Sequence, residues 1–361
     1  MNQKISLEKM NKNQKTYIVF LYKKAIHFTN IRNHKKAIQL YNKILKIDPN
    51  DFESLVNKAT LLSELGKFQD AIKYYNMAEK INSYDFDVLY NKATTLYDAG
   101  IYFDAILYFN KALRVKPQSI ESLCNKANAL TALGKHGKSI STYDEALKIS
   151  PYDLEILNNK GIVYAGLKNH KKAIRCFDKA LKIKQDDVDT LCNKGNSLLE
   201  LEKYEEASDC FKKALKINPT DLDAAMRLGV ALNETNNPND ALSFFDRVLK
   251  KDPKNTDVII NKGISYHILG RYQKALEYFD KALKYDNHDA NAFYCKARSL
   301  AMQKNDKEAL DALKSAFDEY EKHHEHEHAH DDKEEIFKDR VRKDESFLRL
   351  SSDIEFQQLV K

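Results

Sequence analysis

Apolar residues recur along this chain at spacings of three and four, interrupted by short polar stretches, and the interrupted pattern itself repeats. Within residues 52–85, Leu55, Ala59 and Leu62 form one stripe, and Ala71, Tyr75 and Ala78 form a second. Such spacing marks one face of an α-helix. Gly66 divides the stripes, where a left-handed residue would close the first helix. Asp85 stands where the following helix needs an N-cap. The pattern predicts a helical hairpin. Residues 52–85, 86–119 and 188–221 align without a gap at a period of 34. Nine units follow, beginning at Ile18, Phe52, Phe86, Ile120, Leu154, Val188, Leu222, Thr256 and Ala290.

The capping place before each later unit holds Asp51, Asp85, Ser119, Asp153, Asp187, Asp221, Asn255 or Asp289. All can accept a bond from free amide hydrogens of a first helical turn. Pro49, Pro117, Pro151, Pro219 and Pro253 lie two residues before a cap. Proline there stops the second helix from running on. Ala or Gly fills the eighth place of every unit, from Ala25 to Ala297, and Ala fills the twentieth except at Ser139. Small side chains at matched places let the two backbones of a hairpin approach closely.

Together these places resemble the tetratricopeptide repeat, over residues 18–323. The family's Leu at place seven is Lys in every unit but one, where Leu228 stands, and its Trp at place four is replaced throughout. The resulting Asn-Lys-Ala/Gly signature is similar to a variant frequent in prokaryotic members. The resemblance implies an all-α, right-handed superhelical solenoid, its first helices lining a concave groove and its second helices outside.

The two ends depart from the repeat. Residues 1–17 are a polar lead-in to the first helix. Residues 322–334 are rich in His and acid, and 335–361 read as a C-terminal capping segment. Within it, Asp344 and Asp353 can start short helical turns, and Phe347, Leu350, Phe356 and Leu359 supply apolar contacts. A solenoid needs such a piece to cover its last apolar face.

Composition adds bounds. A net charge of +6, from 59 basic and 53 acidic side chains, does not identify a nucleic-acid binder, and none is expected as a partner. Five cysteines without CxxC spacing read as free thiols in a reducing cytoplasm. No apolar run reaches the roughly 20 residues of a membrane helix. The apolar stretch 17–22 is too short for a signal peptide. About 55 residues lie outside the units, too few for an ordinary catalytic domain. No phosphate-cradling loop or nucleophile elbow appears, so the expectation is a protein that is not an enzyme and holds no cofactor, weak Zn or Ni binding aside.

Candidate chemistry lies on the first helices. Places two, six, nine and thirteen share one line, about half a turn from the small residue at place eight. Place six carries Asn57, Asn91, Asn125, Asn159, Asn193 and Asn261. Asparagine costs a helix roughly 0.5 kcal/mol against Ala, so a series asks for a reason. An amide offers donor and acceptor together and can grip a peptide backbone without reading its sequence. In family members with Asn at this place, the resemblance implies that role. The amides could instead bond the neighbouring unit and order the groove wall. Place two is acidic (Glu53, Asp87, Glu121, Glu155, Asp189, Asp223, Asp257), favoured by the helix dipole, and would suit neutral or basic peptides. The family's clamp for acidic C-termini uses Lys and Arg at places two, five and six of neighbouring units; here place two is almost wholly acidic and place five has neither, so that clamp is not expected. Basic residues near the ends of second helices, such as Lys148 and Lys182, read as a solvated face.

His323, His324, His326, His328 and His330 form the one metal-like tract, with pairs at i, i+4. Such tracts bind Zn or Ni by composition. The expected function is a protein-interaction scaffold or adaptor that holds an extended polypeptide through the asparagine ladder. Metal sequestering through the His tract, or a role as accessory subunit of an enzyme complex, are the alternatives.

Overall fold

A periodic apolar stripe becomes a stable helix only when its ends are closed, and in this protein the ends are closed unit by unit. The computed structural model describes residues 11–324 and 330–361, with the side chains of 323–334 outside that description. They form two compact units, Met1–Ile183 and Lys184–Lys361. In the first, hairpins follow in order: α1 (Lys12–Asn30) with α2 (His34–Ile47), α3 (Phe52–Glu64) with α4 (Phe68–Ile81), α5 (Phe86–Asp98) with α6 (Tyr102–Val115), α7 (Ile120–Ala132) with α8 (His136–Ile149), and α9 (Leu154–Gly166) with α10 (His170–Ile183). In the second, α11 (Val188–Leu199) pairs with α12 (Tyr204–Ile217), α13 (Leu222–Glu234) with α14 (Pro238–Leu249), α15 (Thr256–Ile268) with α16 (Tyr272–Tyr285), and α17 (Ala290–Met302) with α18 (Asp306–His324). Then come α19 (His330–Lys343), a 3-10 turn (Glu345–Leu350) and α20 (Ile354–Leu359). No strand occurs among the described residues. The fold is an all-α solenoid of helical hairpins with a short helical C-terminal cap.

Each capping side chain singled out above accepts a bond from a backbone N–H of its helix's first turn, as Asp51 does from Ser54 at 2.9 Å. The first helix begins at Lys12, earlier than the repeat frame. Asn11 caps it, and Gln14 returns a bond to the Asn11 N–H, so part of the polar lead-in is helical.

At the other end of the first helix, place fifteen is left-handed in all nine units. Gly66, Gly100, Gly134 and Gly270 take it up without strain, but Arg32, Lys168, Glu202, Asn236 and Lys304 also have φ between 55° and 69°. The backbone bonding is the same in both cases. Gly66 N–H donates to Ser63 O and Lys67 N–H to Leu62 O. Glu202 and Lys203 repeat this onto Leu199 and Leu198, all at 2.9 Å.

Hairpins close through a ring on the second helix that covers the small residue at place eight. Phe177, Phe211, Phe245 and Phe279 are fully buried over Gly161, Gly195, Gly229 and Gly263. A Cβ on Gly195 would stand 2.7 Å from the Phe211 ring, closer than carbon atoms pack. In three Ala-bearing units the ring is Tyr (Tyr41, Tyr75 and Tyr143), and in two of them its hydroxyl bonds the next place of the first helix: Tyr75 with Thr60 at 2.9 Å, and Tyr143 with Asn128.

The C-terminal segment covers the last hairpin. Phe347, Leu350 and Phe356 are buried in the core that includes Ala297 and Leu313, and Leu359 packs on it half-buried. Asp344 both caps the 3-10 turn and reaches α17, accepting from Tyr294 Oη at 2.5 Å and pairing with Arg298 Nε at 2.8 Å. Burial pushes the Asp344 carboxyl up, but Arg298, Tyr294 and Ser346 outweigh it and hold it below its ordinary value. Burial, then the Arg298 charge, pushes the nearby His267 imidazole down to about 4.

Two predictions follow from the turns and the cap. Gly100→Ala should cost about 1 kcal/mol and Glu202→Gly should gain up to about 1 kcal/mol in urea denaturation, because only one substitution removes left-handed strain. A gain from Gly100→Ala or a loss from Glu202→Gly would refute the strain account. On acidification, the unfolded chain protonates His267 near its ordinary value of about 6.5, whereas the folded side chain refuses the proton until about 4. Stability of the capped end should therefore fall by about 2–3 kcal/mol between those pH values. The Asp344 contribution is present above the ordinary carboxylate range and is lost only at lower pH. Hydrogen exchange in α15 and α17 of the full chain at pH 7 and 4.5 measures this fall, and His267→Gln should flatten it.

Candidate functional site

The acidic residues at place two, Glu53, Asp87, Glu121, Glu155, Asp189, Asp223 and Asp257, are all exposed, while the six asparagines at place six are all half-buried. Place six thus sits at the edge of the packed seam between successive first helices, not out in solvent. The amides divide by their neighbours. Asn57 Nδ2 donates to Tyr22 Oη of the preceding unit at 3.1 Å and to Glu53 O at 2.7 Å. Asn125 Nδ2 donates to Tyr90 Oη at 3.0 Å. Asn261 Nδ2 turns back to Asp257 O at 2.8 Å. Asn193 has a partner of its own. Asn91 and Asn159 make no side-chain hydrogen bond among the described residues.

The cause of this division is at place five of the preceding unit. Tyr22 and Tyr90 stand there before Asn57 and Asn125, whereas Val56 and Cys124 precede Asn91 and Asn159. A phenol reaches the amide, and a short apolar or thiol side chain does not. Asn91 and Asn159 therefore keep both donor and acceptor without a protein partner, whereas Asn57 and Asn125 keep their carbonyl oxygens so.

The thiols on this face are not activated. The five cysteines are free. Burial, reinforced by nearby carboxylates, pushes the Cys124 thiol up to about 12, and burial pushes Cys192 and Cys295 up to about 11. A nucleophilic cysteine needs the opposite shift. The side chains of the histidine tract, His323, His324, His326, His328 and His330, lie outside the description. Among the described side chains no group of three or more His, Cys, Asp or Glu is arranged to hold a metal.

The lysines at place seven, unexplained by the pattern within a single unit, knit units together. Lys92 Nζ bonds Glu79 Oε2 of the preceding second helix at 2.7 Å and Tyr108 Oη of its own at 2.6 Å, and Lys111 adds a second bond to Glu79 at 2.8 Å. Burial pushes the Glu79 carboxyl up, but the bonds from Lys111 and Lys92 outweigh it and hold it below its ordinary value. Lys58 lies 3.6 Å from the centre of the Tyr74 ring. Lys160, Lys262 and Lys296 pair with Asp144, Asp246 and Asp280. In each case the carboxylate lies sixteen residues earlier. Leu228, the exception at place seven, follows Lys212 at that separation instead of Asp. The signal was present in the sequence as a pairing between units.

The chain matches the tetratricopeptide repeat family over residues 20–51, 40–73, 118–186, 188–221, 223–255 and 257–289. It is similar to a solved tetratricopeptide repeat protein from Parabacteroides merdae, at 19% identity and a TM-score of 0.52, with 73% of this chain and 98% of that one covered. It is similar to pilF of Pseudomonas aeruginosa at 17% identity and a TM-score of 0.50, over 57% of this chain and 94% of that one. These two likenesses speak for the fold alone. YrrB, described as a tetratricopeptide repeat protein with an unusual peptide-binding site, is 28% identical over 52% of this chain and 97% of its own, with a TM-score of 0.48. No curated protein matches the chain. No helix among the described residues is long and apolar enough to cross a membrane.

The lysine pairs differ in burial, and their removal should differ in cost. Lys92 is 4% exposed with Glu79 at 18%, whereas Lys296 is 30% exposed with Asp280 at 52%. Lys92→Met leaves the largely buried Glu79 with Lys111 as its one cation and should cost about 2 kcal/mol, while Lys296→Met should cost less than about 1 kcal/mol. Urea denaturation midpoints of the two variants decide it; equal costs would show that the pairs are not set by burial.

Proposed function

Because the chain belongs to the tetratricopeptide repeat family, whose members are generally non-enzymatic protein-interaction scaffolds, we propose that it holds an extended polypeptide along the asparagine-bearing face of its first helices. The observation that carries this reading is the pair Asn91 and Asn159, half-buried amides two units apart with neither donor nor acceptor engaged. Both amides remain open to solvent at the seam, where a peptide backbone can replace water as donor and acceptor together. Asn57 and Asn125 contribute carbonyl oxygens beside them. The exposed carboxylates at place two favour a neutral or basic segment over an acidic C-terminus. The free thiols support a reducing compartment such as the cytoplasm.

Each amide contact nets about 0.5–1.5 kcal/mol, so the grip is broad and of modest affinity. The test is fluorescence anisotropy of the full chain with labelled, unstructured peptides of neutral and basic composition. Asn91→Ala with Asn159→Ala should weaken binding by about tenfold, and Asn57→Ala with Asn125→Ala by less, since their donors are already occupied. Unchanged affinity of the Asn91/Asn159 double variant, with helicity intact by circular dichroism, would sink the reading.

A further inference from the structure

The second helices carry a different surface. Between α8 and α10, with α9 as its floor, lies a cleft of about 590 Å³. Leu147, Leu157 and Cys176 give it an apolar base. Four cations, Lys148, Lys160, Arg175 and Lys179, surround that base. Asp144 is the one carboxylate in the lining, and Lys160 already pairs with it. Lys148, Arg175 and Lys179 have no carboxylate partner among the described residues. The charge belongs to this cleft and not to the repeat. At the same places of the preceding junction, Ser141 and Glu145 replace Arg175 and Lys179. One junction earlier, Leu107 stands where Arg175 does, and later units put Glu277 and Asp311 there. No other junction has cations at all four places.

We propose that this cleft binds a short acidic peptide segment of a partner protein. Carboxylates would meet Arg175, Lys179 and Lys148, and an adjoining apolar side chain would cover Leu157 and Cys176. An Arg fork matches a carboxylate in two parallel bonds. The apolar base suits a peptide better than a nucleic-acid backbone. The basic surface is also one cleft wide, and a polyanion extended toward the preceding junction would meet Glu145. The cleft opens between two second helices and shares no lining residue with the asparagine series, so the scaffold would hold two segments of opposite charge preference.

The test uses the full chain and a short fluorescein-labelled peptide alternating Leu with Asp and Glu, against the same peptide with Lys in place of the acids. The acidic peptide should bind, and binding should weaken at least about fivefold between about 50 and 300 mM salt. Arg175→Glu with Lys179→Glu should weaken it at least about tenfold, whereas Lys46→Glu with Lys73→Glu, at an earlier junction, should leave it within about twofold. The neutral pair Arg175→Gln and Lys179→Gln should give a smaller loss in the same direction. Asn91→Ala with Asn159→Ala should leave acidic-peptide binding intact, which separates this site from the asparagine face. Absence of binding, equal loss in both charge-reversed variants, or tighter binding of a single-stranded RNA oligonucleotide of the same charge would overturn the proposal.

Discussion

Everything in this fold depends on how closely the two helices of a hairpin approach. The approach is set by a buried ring on the second helix lying over a side chain no larger than a methyl group on the first. Phe177, Phe211, Phe245 and Phe279 leave no room for a Cβ beneath them. Widening one of these contacts would tilt the hairpin and shift both surfaces it carries: the amide edge of the first helix and the cleft beside the second. Packing of this kind resists gradual deformation, because interiors at crystal-like density have no slack to take up.

Much of this was legible in the residues. The period, the hairpins, the caps and the small residues each follow from one local rule applied at a fixed interval. Asn236 is of a type that tolerates the left-handed conformation, but the turns at Arg32, Lys168, Glu202 and Lys304 were not legible, because nothing in those side chains favours it. The paired bonds from the turn back to the first helix impose it, and the local strain is carried by the rest of the hairpin. The asparagine ladder was visible as a series, but its division was not. Asn57 and Asn125 are engaged by a tyrosine 35 residues upstream, a period plus one, so this shows only when units are compared across their junction. The lysines at place seven were hidden for the same reason: their partners belong to the unit before.

A net charge of +6 conceals a strong local segregation. Exposed carboxylates open the first helices in seven units, while cations collect along the second helices and crowd one cleft. The segregation has a plain physical origin, since the helix dipole favours acids at N-termini and bases at C-termini. Repetition then aligns each sign along its own side of the hairpins. Only where a unit departs from that background, as at Arg175 and Lys179, does the charge carry information beyond the repeat.

The substitution of Leu228 for lysine has an evolutionary corollary. A duplicated unit arrives with only half of each junction, and its place-seven side chain must suit whatever the unit before it offers. Lysine at 228 would lie at the separation from Lys212 that elsewhere joins Lys to Asp, setting two ammonium groups against each other; the buried leucine avoids this. The units share a period but not an address. A chain with two of them exchanged would keep every hairpin and still be mismatched at its seams, so the order of the repeats is itself part of the folded protein's specification.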